Sequence, residues 1–184
     1  MYHGIMGSNF CRNITMENCY VDRFDSHQGV HNATIKNCTL GFGILVIGGG
    51  DLYVENVYRI SGNAFVHLRM DYNSVFDGDV VLKKCRFGST LTTAVEGIWI
   101  KFFNGLDNRV TNSISLDDVL SESGDLTLYS IYNATPEALD DDTNKLYLPK
   151  TATIKNVYSL DGSAVDVKIA KQPEAFTGVK ISHI

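Results

Sequence analysis

The sequence predicts an all-β chain folded as a parallel β-helix, a solenoid of about six to seven stacked coils. Three observations predict it. A seven-residue pattern recurs along the chain, and its first three copies begin 19 residues apart. Inside each copy apolar and polar residues alternate, the period of a half-buried strand. The composition, 44% hydrophobic and 20% charged with only 3 prolines in 184 residues, suits a folded core rather than a disordered chain. Residues 1–184 read as a single domain.

Six segments align without gaps: Asn13–Cys19, Asn32–Cys38, Asp51–Val57, Asp79–Cys85, Ser113–Val119 and Thr151–Val157. Residues 178–184 form a weaker seventh. Position one is a small polar residue or glycine, and positions two, four and seven are apolar. Position six is Asn in four copies, which suits a tight bend because Asn tolerates the left-handed backbone region. Successive copies begin 19, 19, 28, 34, 38 and 27 residues apart. About 20 residues make one turn of such a solenoid, and the longer intervals are turns with a loop inserted. A propeller blade needs roughly 40–45 residues, which the 19-residue spacing excludes. A leucine-rich repeat lacks its Leu consensus here, and a sandwich gives no reason for fixed offsets.

A second strand is expected after each copy, at 43–47, 65–70, 97–103, 126–131 and 164–170. Val66, Leu68, Met70, Ile98, Ile100, Phe102, Val165, Val167 and Ile169 would face the core. His67, Arg69, Asp71, Trp99, Lys101, Phe103, Thr127, Tyr129 and Ile131 would face outward, as would Asp166, Lys168 and Ala170. Residues 135–144 could hold a short helical turn. Neither end carries a polar cap, so the chain is expected to be a fragment of a longer protein or to have its ends covered by partner subunits.

Several function classes are disfavoured. The net charge of −5 and the lack of a Lys/Arg run argue against nucleic acid. No segment approaches the roughly 18 apolar residues of a membrane span, so no membrane insertion is expected, and no signal peptide is visible. Cys19, Cys38 and Cys85 interchange with Val57, Val119 and Val157 at position seven, which reads as packed, reduced thiols, with a disulfide between neighbouring coils as the alternative. Their spacing is not that of a zinc site, and Asp140–Asp142 lacks the alternation of a calcium loop. Gly48-Gly49-Gly50 has no following Lys-Ser/Thr and is not a phosphate loop. No metal and no cofactor are expected. Four glycosylation sequons, at Asn13, Asn32, Asn37 and Asn133, read as turn chemistry, since a glycan on the repeat would obstruct stacking.

Two candidate sites emerge. The densest polar cluster runs from Asp22 to Asn32. In it Asp25 and His27 fall on one face of an extended segment and are candidate acid–base groups. Alternatively, this cluster is a charged turn that sets the loop. The second candidate is an outward strip of His67, Trp99 and Tyr129 with Arg69 and Lys101 beside it. Aromatic faces suit sugar rings, and Arg and Lys suit carboxylates or phosphates. Asp71 and Glu96 would supply carboxyl catalysis there. The plain alternative is a set of ordinary outward side chains.

The stretches His3–Asn13, Arg23–Gly29 and Asn32–Asn37 resemble the right-handed β-helix of phage tailspike and preneck appendage proteins, in the pectin-lyase-like group. The resemblance is strongest over residues 3–60. It implies a right-handed helix and an extracellular virion component that binds, and in some members degrades, a host polysaccharide or teichoic acid. It also implies a homotrimer in contact with other virion proteins. It assigns no catalytic set, so activity, hydrolase or lyase, stays open. Two other functions compete: a structural or adhesive β-helix without chemistry, and a secreted bacterial polysaccharide lyase.

Overall fold

The computed structural model describes residues 4–62, 64–69, 72, 74, 76–88, 95–101, 107–109, 111–132, 145–147, 149–171 and 178–183. The expected helical turn at 135–144, and Met70, Asp71, Phe102 and Phe103, lie outside these. So do Asn133, Ile184 and the acidic run Asp140–Asp142.

The described residues are almost wholly β. Along the chain come β1 (Ile5–Ser8), β2 (Arg12–Glu17), β3 (Tyr20–Ser26), β4 (His31–Val46), β5 (Gly49–Arg59) and β6 (Ala64–Arg69). Then follow β7 (Asp79–Lys83), β8 (Arg86–Phe87), β9 (Val95–Lys101), β10 (Asp107–Arg109) and β11 (Ser113–Ser121). The last are β12 (Leu126–Tyr132), β13 (Lys145–Tyr147), β14 (Thr151–Ser159), β15 (Val167–Ala170) and β16 (Lys180–His183). Every described strand pair is parallel, and one isolated antiparallel bridge joins Tyr158 to Ala164.

The expected right-handed β-helix solenoid is corrected by the strand connectivity. A three-faced solenoid keeps its faces as separate sheets, whereas here 14 strands belong to one sheet. Within it β5, β7, β11 and β8 close a ring of parallel pairs, a four-strand barrel with the remaining strands bonded outside it. Two local features produce this. Lys84, at φ 51, breaks one strand into β7 and β8, and both pieces stay paired with β5 and β11, which closes the ring. The 16-residue β4 then bonds to β2, β3, β5 and β6, merging strands that the repeat pattern assigns to different faces.

The register within the repeats follows the sequence pattern. Met16 pairs with Ile35, Ile35 with Val54, Val54 with Leu82, Leu82 with Leu116 and Leu116 with Ile154. All six are 5% exposed or less and form one continuous apolar row. Burial of such rows is the main stabilising term, since each apolar side chain leaves water as its neighbours in the row do. At position six Asn18, Asn37, Asn56, Asp118 and Asn156 all take φ between 52° and 60°. The bend therefore uses the left-handed region that Asn and Asp enter at low cost.

The sequon asparagines form ladders. Asn32 donates from Nδ2 to Asn13 Oδ1 at 2.9 Å, and its own Oδ1 accepts from the Asp51 backbone N–H at 2.9 Å. Charges also alternate in register at position five: Glu17, Lys36, Glu55, Lys83, Asp117 and Lys155. Opposite charges on adjacent strands favour this register, and Lys83–Glu55 and Lys155–Asp117 approach to 3.8 Å.

The second strands are β6, β9, β12 and β15 with the end of β4. Val66, Leu68, Ile98 and Ile100 are fully buried, as the alternation requires. β12 departs from it. Thr127, Tyr129 and Ile131, expected outward, are 5%, 0% and 2% exposed. Tyr129 pairs with inward Ile98, and Ser130 is the residue opposite Trp99. The register row is therefore Leu45, His67, Trp99 and Ser130, one residue away from the predicted alignment on β12. Leu126, Leu128 and Ser130, on the other parity, are buried as well, so β12 is covered on both faces and shows no alternation of burial.

Candidate functional site

The polar stretch 22–32 forms the end of β3 and a turn. Phe24 points inward and is fully buried, so Arg23, Asp25 and His27 share the opposite parity of the strand. Arg23 grips Asp25 with both arms of its guanidinium, Nε to Oδ1 at 2.6 Å and Nη2 to Oδ2 at 2.8 Å. Asp25 is 9% exposed. Both carboxylate oxygens of this candidate acid–base group are thus held by one cation. Such a bidentate pair fixes the orientation of Arg23 rather than presenting a free carboxyl to a substrate.

His27 sits at the end of that face. Its Nδ1 lies 2.6 Å from Asn9 Oδ1, and its ring centroid is 5.9 Å from that of Tyr72. The chain then turns: the Val30 N–H donates to the His27 carbonyl at 3.1 Å, with Gly29 at φ 70. The Phe10 ring packs against this turn so closely that a Cβ at Gly29 would fall 2.6 Å from Phe10 Cδ1. Glycine is needed there for both the backbone conformation and the aromatic contact.

Beyond the turn lies a cleft of about 400 Å³. Phe10 and Tyr72 flank it, 76% and 61% exposed, and Arg12, Gln28, His31 and Asp77 line it with polar groups. Residues 47–49 form part of its wall. A side chain at Gly48 would collide with the Val30 carbonyl, and one at Gly50 with the Asn32 amide oxygen. The triple glycine thus permits close packing of neighbouring turns beside the cleft. Asp77 accepts the Gly50 N–H at 3.0 Å, tying the loop after β6 to the same corner. Arg12 and His31 are register partners, which sets the guanidinium and imidazole on adjacent strands.

The second candidate is rearranged. Arg69 and Lys101 are register partners, as are His67 and Trp99. Tyr129 is removed from the strip by its burial, which also holds its phenol well above the ordinary tyrosine range. Glu96 stands in register with Ala64 and Thr127, on the parity of Ile98 rather than of the strip. Asp71 lies outside the described residues. His67 instead lines a smaller hollow of about 190 Å³ with Arg23, Phe42 and Leu45. No pair of candidate catalytic carboxylates is brought together among the described residues. Nor does any group of three or more His, Cys, Asp and Glu side chains suited to a metal occur among them.

Phe10, Arg12 and Tyr72 are the residues that sequence reasoning passed over. Phe10 and Arg12 precede the repeat, and Tyr72 lies in an irregular loop, so no periodicity marks them. Arg59 was also unforeseen. It is fully buried, donates to the carbonyls of Gly62 at 2.5 Å and Gly88 at 3.0 Å, and its guanidinium lies 5.9 Å from the Phe87 ring centroid. Burial lowers its pKa to about 10, against a partial opposing effect of Glu122. Its bonds bind two loops together, so its role is architectural.

Comparison of the chain with family models, curated proteins and solved structures finds no match.

Proposed function

We infer that the protein binds a polysaccharide, with the cleft between Phe10 and Tyr72 as the point of contact. The observation that carries this is the pairing of two exposed aromatic rings with Arg12, Gln28, His31 and Asp77 around one cleft. Sugar rings present apolar faces that stack on aromatics and hydroxyls that need donors and acceptors at the rim. Arg12 adds a guanidinium suited to a carboxylate or phosphate on the glycan. Binding is a better reading than cleavage, because Asp25 is engaged by Arg23 and its register partners on the neighbouring strands, Gly7 and Leu45, carry no carboxylate.

The resemblance to phage tailspike and appendage proteins makes a host surface polysaccharide or teichoic acid the expected ligand. Assembly as a homotrimer on a virion rests on that resemblance alone. The test is calorimetric titration of the chain with purified bacterial capsular polysaccharides and wall teichoic acid, alongside Tyr72→Ala. Saturable binding weakened in the variant supports the reading. Binding that is absent, or equal in both proteins, overturns it.

A further inference from the structure

We propose that Cys19 and Cys38 form a redox-modifiable pair, closing a disulfide between the first two repeats under oxidising conditions. The repeat places these residues at the same position of adjacent copies, 19 residues apart. Strand register on both sides aligns them: Glu17 pairs with Lys36, and Tyr20 with Thr39. Adjacent parallel strands lie about 4.8 Å apart, inside the roughly 4.4–6.8 Å Cα separation that a disulfide spans. The Cys19 backbone N–H already donates to Cys38 Sγ at 3.4 Å. Each thiol now donates to the carbonyl two residues before it, Cys19 to Glu17 at 3.1 Å and Cys38 to Lys36 at 2.9 Å. Neither contact is a covalent or metal bond, so both sulfurs are available.

No other cysteine competes from the adjacent strands. Cys38 faces Val57 on its far side. Cys85 lies between strand segments whose register sets it against Val57 and Val119. Cys11 contacts Ser8 Oγ at 3.1 Å. The two members of the pair also differ in access. Cys19 is half-buried and Cys38 is 4% exposed, with burial raising the Cys38 thiol pKa. Cys19 is therefore the entering nucleophile and Cys38 the resolving one.

The oxidant is a small-molecule disulfide, such as oxidised glutathione. The Cys19 thiolate attacks one of its sulfurs, giving a mixed disulfide and one released glutathione thiol. Cys38, losing its proton to solvent, then attacks the Cys19 sulfur. The Cys19–Cys38 bond forms and the second glutathione leaves as a thiolate. Two protein thiols are oxidised by two electrons, and one disulfide is reduced to two thiols.

The experiment incubates the folded full chain with oxidised glutathione at pH 8, blocks free thiols and maps peptides without reduction. The expected product is an intramolecular Cys19–Cys38 linked peptide. With it the thermal midpoint rises by roughly 6–12 °C, and dithiothreitol reverses the rise. Cys38→Val places the residue found at 57, 119 and 157 in the same position, so the fold is retained. In that variant glutathione should remain on Cys19. A mixed disulfide that persists on Cys19 in the unmodified sequence overturns the proposal. So does pairing of Cys19 with Cys11 or with another chain, or a linked peptide without a change in midpoint.

Discussion

Asn56 donates from Nδ2 to Asn37 Oδ1 at 2.8 Å, and both residues hold φ 53. One side chain thus serves two purposes: it tolerates the left-handed bend and it links neighbouring repeats. Asn37 in turn donates to Glu17 Oε1 at 3.3 Å, so the bends at Asn37 and Asn56 tie the first three repeats together.

Replacing Asn37 separates these purposes. Asn37→Ala loses both amide bonds and incurs the left-handed strain, for a destabilisation of about 1–2 kcal/mol. Asn37→Gly loses the bonds but not the backbone freedom and should cost less. Urea unfolding midpoints of the two variants check the order. Gly equal to or worse than Ala would place the stabilisation in the ladder alone.

The apolar row predicts a steep contrast between adjacent residues. Ile35 is fully buried between Met16 and Val54, and Ile35→Ala should cost roughly 2–5 kcal/mol through lost burial and a residual cavity. Thr34 points the other way and is half-buried. Thr34→Ala should cost under about 1 kcal/mol. Equal losses in denaturant melts would contradict the assigned inward face.

Alkali should destabilise the fold through buried acids. Burial pushes the Cys85 thiol up to about 12, against 9.0 for the free group. The folded state keeps this proton when the unfolded chain has lost it. The associated stability is complete below pH 9 and is lost as pH rises towards 12. Tyr129, raised by burial, acts in the same direction. Cys85→Val should therefore unfold more readily than the native sequence at pH 7 by little or nothing, and should resist pH 10.5 better. Parallel urea melts at the two pH values measure this. Identical pH dependence in both proteins would show that Cys85 carries none of it.

The proposed cleft predicts two distinguishable losses. Phe10→Ala and Tyr72→Ala should each weaken glycan binding about tenfold, at any salt concentration, by removing a stacking face. Arg12→Ala should weaken binding of an anionic glycan more at low than at high salt, because screening already suppresses an exposed charge. Titrations at two ionic strengths, on variants with unchanged circular dichroism, separate these effects. An Arg12 effect independent of salt would mean that its charge is not what the ligand meets.

Much of the local structure was legible in the sequence. The alternation at positions two to four assigned Met16, Ile35, Val54, Leu82, Leu116 and Ile154 to one row, because a strand's side chains alternate with period two and water drives one set inward. Recurrent Asn at position six marked the bend for a comparable reason: few residues enter that backbone region cheaply. The intervening loops hid the rest. They destroyed the count that placed Tyr129 beside Trp99, and only hydrogen-bonded register showed Ser130 in that place. Strand closure was equally invisible, since a repeat specifies which residues are equivalent but not which strand pieces share neighbours. Whether β5, β7, β11 and β8 meet in a ring depends on pairings of segments far apart in the chain. The cleft is a tertiary product as well. Phe10 and Arg12, His31, and Tyr72 and Asp77 come from three separate stretches of the chain, carry no common spacing, and acquire a shared surface only when parallel strands bring those stretches to one corner.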